Sequence, residues 1–118
     1  MLPPTDALLV LTTLPDEASA RALAEKLVSE RLAACVNILA PCTSVYHWRD
    51  AVERAAEIPL LIKTTRERYP ALEAAVRAAH PYEIPELLAV PVTQGLTAYL
   101  GWLADSVTIP ASPVPDAS

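Results

Sequence analysis

Three short runs, residues 8–11 (LLVL), 60–62 (LLI) and 87–90 (LLAV), are apolar at consecutive positions and not at alternate ones. Successive side chains of a strand point to opposite faces, so strands built from these runs must be covered on both sides. This requirement limits the chain more than any other feature. It asks for a sheet with helices on one face and further cover on the other.

The segments between these runs supply two helices. Pro15-Asp16 punctuates the first strand (residues 8–14), and Asp16 is a good helix N-cap. From 17 to 33 the residues Ala20, Leu23, Ala24, Leu27, Val28 and Leu32 recur at helical spacing, with Arg21, Glu25, Ser29 and Glu30 opposite. A second helix is expected over 67–79, burying Tyr69, Leu72, Val76 and Ala79, with Pro70 in its first turn. Pro81 ends it, because the residue before a proline is pushed out of the α region.

Residues 35–48 (CVNILAPCTSVYHW) read as one long strand, with Pro41 marking a bulge or an edge. Residues 49–55 turn the chain, and 57–65 (EIPLLIKTT) form the return strand, with Pro59 again suggesting an edge. A fourth strand over 86–92 and a last short helix, opened by Thr93-Gln94-Gly95 and running through Asp105, complete a β-α-β-β-α-β order plus one helix. That order is the α+β, ferredoxin-like split βαβ arrangement with a long β-hairpin. Residues 1–106 form a single domain, and the Pro-rich stretch 107–118 is expected to be a disordered tail. One short C-terminal helix is too small to cover the second sheet face, so self-association is expected.

Composition narrows the function. A net charge of −5, with no run of Lys or Arg, disfavours nucleic acid and anionic membranes as partners. The N-terminal segment lacks a basic region and a long apolar run, so no signal peptide is expected. Cys35 and Cys42 read as reduced thiols of a cytoplasmic protein. They are seven positions apart, an odd offset that points them to opposite strand faces, and seven residues of strand span roughly 23 Å, so they do not share a metal within a subunit. Each behaves first as a small apolar side chain. With Gly95 and Gly101 as its only glycines, the chain has no phosphate-cradling loop, and no nucleophile elbow or zinc signature is present.

The most suggestive stretch is residues 80–87, HPYEIPEL. His80, Glu83 and Glu86 lie three apart, a spacing that would converge on a helix, but Pro81 and Pro85 forbid one. The preferred reading is a rigid connector in which Tyr82 packs. The alternative is a metal site at His80 completed by a neighbouring subunit. Tyr46, His47 and Trp48 crown the hairpin, where packing against a neighbour is expected. Glu57 and Lys63 share a strand face and are expected to pair between strands or subunits. Tyr99 and Trp102 are expected in the core of the last helix.

LAACVNI (32–38), SVYHW (44–48), Glu57 ahead of LLIKTT (60–65), HPYEIPEL (80–87) and YLGWL (99–103) occur in this order. Together they resemble the CutA divalent-cation-tolerance family, from about Ala7 to Ser106. The resemblance implies a cytoplasmic homotrimer without established catalytic activity, related in shape to PII signalling proteins, that acts in tolerance of divalent metals such as copper. It requires no cofactor; Cu²⁺ or another divalent cation would bind weakly in inter-subunit clefts. The metal-site candidates are His80, Glu83 and Cys35. Copper ligation in some members is attributed to a cysteine where this chain has Thr12 and a second histidine where it has Ala79; both are absent here. Other functions compatible with the fold are a PII-like ligand sensor and a small trimeric enzyme using His80 as general base with Glu83 or Tyr82.

Overall fold

The computed structural model describes residues 5–109. Its elements are β1 (Ala7–Leu14), α1 (Glu17–Ser29), β2 (Cys35–Ile38), β3 (Cys42–Trp48), β4 (Ala51–Thr65), α2 (Tyr69–Ala79), β5 (Leu88–Pro91) and α3 (Thr97–Val107). The sheet is antiparallel in the order β2-β4-β1-β5, and β3 also pairs with β4. β1 runs along the C-terminal half of β4, from Ala7 opposite Thr65 to Leu14 opposite Ile58.

The two-faced apolar runs are divided as strand geometry demands. Leu8, Val10 and Leu14 of β1 and Ile58, Leu60 and Ile62 of β4 pack with Leu23 and Leu27 of α1 and Leu72 and Val76 of α2. On the opposite face, Ala7 joins Ala34 and the α3 residues Leu103 and Val107 in a smaller cluster. Beyond α3 that face is only partly covered, and Leu9, Leu11 and Leu61 remain half-buried.

Asp16 caps α1 as expected, its Oδ1 accepting the Ser19 amide at 2.7 Å. That backbone hydrogen bond, with the Ser19 side chain, holds the carboxyl below its ordinary value. The helix stops at Ser29, short of residue 33, because Arg31 takes a left-handed conformation (φ 58°) and the Leu32 amide reaches back to the Leu27 carbonyl at 2.8 Å. Val28, expected inside, is exposed, as is Ala79 at the end of α2. α2 begins at Tyr69 and not at residue 67, with Pro70 in its first turn.

The single strand expected over 35–48 is two strands separated at 39–41. Pro41 lies in that interruption, but Pro59 is not on an edge: β4 is flanked by β2 and β1. The Pro59 carbonyl accepts the Leu39 amide at 2.9 Å, and the amide position of a strand residue faces the same side as its carbonyl. The missing donor of Pro59 therefore falls where the neighbouring strand is already broken. The turn is tighter than expected: Arg49 (φ 48°) and Asp50 (φ 67°) alone connect Trp48 to Ala51. Two left-handed residues in a two-residue loop match the twist of the flanking strands.

The last two elements also shift. β5 is confined to Leu88–Pro91, and α3 starts at Thr97 and runs through Val107. Val107, expected in the tail, is buried. The remainder of that tail, from residue 110, lies outside the described residues. Tyr99 and Trp102 are not core residues: both are exposed and stack on each other at 5.4 Å between ring centres. The inward face of α3 is Leu103 and Val107.

Candidate functional site

β1 outlasts its neighbour β5, whose pairing stops at Leu11 opposite Leu88. Beyond that point residues 80–87 take over by side-chain and backbone contacts that need no strand. Thr12 Oγ1 donates to the Glu86 carbonyl at 2.7 Å. His80 Nε2 lies 2.6 Å from the Thr13 carbonyl, and the Tyr82 amide donates to His80 Nδ1 at 3.2 Å. An amide can only donate, so Nδ1 carries the lone pair and Nε2 the proton given to Thr13. Both ring nitrogens of the buried His80 are thereby occupied. The connector reading describes this arrangement: Pro81 and Pro85 forgo backbone donors, and the histidine supplies the links.

A cleft of about 720 Å³ opens beside this connector, between it and the hairpin of β3 and β4. Its walls include Tyr46 and Trp48 from β3, Tyr82 from the connector and Glu57 from β4. Glu57 is only 8% exposed, and its Oε2 accepts the Thr13 hydroxyl at 3.1 Å. Thr13 and Pro59 are register partners, so Glu57, two residues before Pro59, points to the same face as Thr13. The Tyr82 hydroxyl is pushed up to about 12, first by burial and then by the neighbouring Glu57 carboxylate, which favours the protonated phenol and repels the phenolate. Tyr82 thus remains a neutral donor at physiological pH. At the rim, Arg49 Nη2 pairs with Glu83 Oε2 at 3.1 Å, and its guanidinium lies 5.2 Å from the centre of the Trp48 ring.

The metal candidates are not brought together. His80 is spent on Thr13 and Tyr82, Glu83 faces Arg49, and the Cys35 Sγ has Lys63 Nζ as its neighbour at 3.9 Å. Among the described residues, no three His, Cys, Asp or Glu side chains group to hold an ion. Lys63 also contacts Asn37 Oδ1, so Glu57 and Lys63 each find partners within the subunit, and neither partner is an ion pair. Cys35 and Cys42 are free and half-buried.

Glu57 heads an apolar strand in the sequence, but its proximity to Tyr82 is not readable there. The two come from β4 and the connector, and β1 brings them together by pairing with β4 and holding the His80 ring on its Thr13 carbonyl.

Residues 8–106 match the CutA1 divalent ion tolerance protein family. The divalent-cation tolerance protein CutA of Thermus thermophilus is 47% identical over 97 residues, covering 82% of this chain and 94% of that protein. The protein of the same name from Citrobacter koseri is 45% identical over 102 residues, covering 86% and 89%. Among solved structures, CutA of Xylella fastidiosa superposes with a TM-score of 0.86 at 41% identity, over 88% of this chain and 100% of that one. A periplasmic divalent cation tolerance protein CutA of Archaeoglobus fulgidus gives 0.84 at 32% identity, over 86% and 99%.

Proposed function

Because the chain belongs to the CutA1 divalent ion tolerance family, we propose that it serves in tolerance of divalent metal ions as a non-enzymatic, cytoplasmic homotrimer. Family membership carries the functional part. The strand order β2-β4-β1-β5, with α1 and α2 on one face, supports a ferredoxin-like subunit. Incomplete burial supports self-assembly. Leu88 and Val90 on the short edge strand β5, Val45 and Val52 on the hairpin, and Tyr99 and Trp102 on α3 all face outward. An edge strand with apolar side chains is a site for pairing, and aromatic residues are enriched at the cores of protein interfaces.

Divalent cations such as Cu²⁺ would bind weakly at His80, Glu83 or Cys35, since each must first give up a standing contact. A Cu²⁺ titration of wild type and His80→Ala tests this; equal affinity removes His80 from the site. Cytoplasmic placement rests on the two free thiols, and cell fractionation decides it against the periplasmic placement of the Archaeoglobus relative. The function itself is tested in a bacterial strain lacking its own CutA. Expression of this chain should restore growth at elevated copper; growth no better than the empty vector would contradict the proposal.

A further inference from the structure

Glu57 is more than nine-tenths buried, yet among the described residues no Lys, Arg or His lies within ion-pair range of it. A buried carboxylate without a counter-charge is costly, and the hydrogen bond from Thr13 offsets only part of that cost. No basic residue lines the cleft into which it opens, whereas Glu57, Glu83 and Glu86 all do. The site therefore selects for positive charge and against phosphates and carboxylates.

The nature of the walls decides between kinds of cation. A divalent metal ion needs several converging oxygen, nitrogen or sulfur ligands, and no such group exists here among the described residues. The cleft presents aromatic rings instead, those of Tyr46, Trp48 and Tyr82, beside one buried carboxylate. Aromatic faces attract large, weakly hydrated cations, which also lose less on leaving water than a compact metal ion does. At about 720 Å³ the space suits a small molecule far better than a lone ion. The chain already shows the chemistry at the rim, where the guanidinium of Arg49 sits against both the Trp48 ring and the Glu83 carboxylate.

We propose that this cleft binds a small organic cation, a guanidinium or ammonium group on a short stem, with Glu57 as its counter-charge and the aromatic rings as its walls. The cation enters beside the Arg49–Glu83 pair and exchanges its hydration for the Glu57 carboxylate and the ring faces, while Thr13 holds that carboxylate in place. The proposal rests on the reading of the chain as a CutA1-family assembly, and it names a ligand class for a cleft of its subunit.

The test is calorimetric titration of the full chain with methylguanidinium at low millimolar concentration, beside neutral methylurea and inorganic phosphate. Methylguanidinium should bind, and the other two should not. Glu57→Gln keeps an acceptor for Thr13 but removes the charge, and should weaken binding at least about tenfold. Trp48→Leu, at the exposed hairpin, should weaken it severalfold with the fold intact by circular dichroism. No binding of methylguanidinium, equal binding of methylurea, or unchanged affinity in Glu57→Gln would each overturn the proposal. Light scattering on the same samples reports the assembly separately. A trimer that ignores methylguanidinium overturns the ligand class alone, whereas a monomer overturns the assembly.

Discussion

The two halves of β4 are one continuous strand in two unlike surroundings. From Ile58 to Thr65 it pairs with β1, with β2 on its other side over Leu60–Lys63, and its residues are buried or half-buried. From Ala51 to Ala56 it pairs only with β3, and nearly every residue is exposed. The inner half is held by the helices packed on it. The outer half is a two-stranded arm, and such hairpins are marginally stable alone in water. A sequence that maintains Val45 and Val52 exposed on such an arm is built for cover supplied by another molecule. The candidate cleft lies where the two halves meet, with Glu57 the last buried residue before the arm.

The contrast is broken most sharply by matched truncations. Leu60→Ala, at a fully buried position of the inner half, should cost about 2–5 kcal/mol in chemical denaturation, through lost burial and a cavity. Val52→Ala on the arm should alter the stability of an isolated subunit by no more than about 0.5 kcal/mol. If it also weakens assembly on dilution, the arm is an interface; a cost like that of Leu60→Ala would mean that the arm is core.

His80→Ala should come next, at about 1–3 kcal/mol, since it leaves the Thr13 carbonyl and the Tyr82 amide without their partner. His80→Asn or His80→Gln should recover part of the loss if the ring acts as a link. No loss in His80→Ala would end the connector reading.

The junction offers a pH test. The folded-state value of Tyr82 is raised, so its stabilising contribution is complete below the ordinary tyrosine value near 10 and fades as pH rises toward about 12. Ultraviolet titration should show a tyrosine ionising near 12, and Glu57→Gln should bring it down. Asp16 works in the opposite direction. Its lowered value stabilises the fold above the ordinary carboxyl value and is lost as pH falls below it, so Asp16→Ala should flatten the acid limb of the stability profile.

The smallest effect belongs to the hairpin tip. Asp50 holds a left-handed conformation that glycine adopts without steric cost, so Asp50→Gly should stabilise the arm by a few tenths to about 1 kcal/mol. Destabilisation instead would show that the Asp50 side chain has a role at the tip.

Local patterns made much of this legible in the sequence. Helical spacing located α1 and α2, consecutive apolar residues located β1 and the inner half of β4, and Asp16 and Pro70 marked helix starts. Long-range geometry was less accessible. Tyr99 and Trp102 were expected inside because i, i+3 spacing identifies a face without saying which way it turns; Leu103 and Val107 claim the inward face. Pro59 suggested an edge because a missing donor is safe there, but an interrupted neighbour, broken at 39–41, makes an inner position equally safe. In the candidate site, HPYEIPEL advertised its histidine, while the group that faces the cleft is Glu57. Its neighbours Thr13 and Tyr82 lie 44 positions before and 25 after it in sequence; the register of β1 on β4 places Thr13, and the His80–Thr13 contact carries the connector with Tyr82 to the same place.

The central claim is that the outer half of β4, the β5 edge and the aromatic face of α3 are covered by other copies of the chain. Size-exclusion chromatography with multi-angle light scattering on the untagged protein at micromolar concentration measures this directly. A single species of three times the 12.7 kDa chain mass is the predicted result. A stable, folded 12.7 kDa monomer would contradict it.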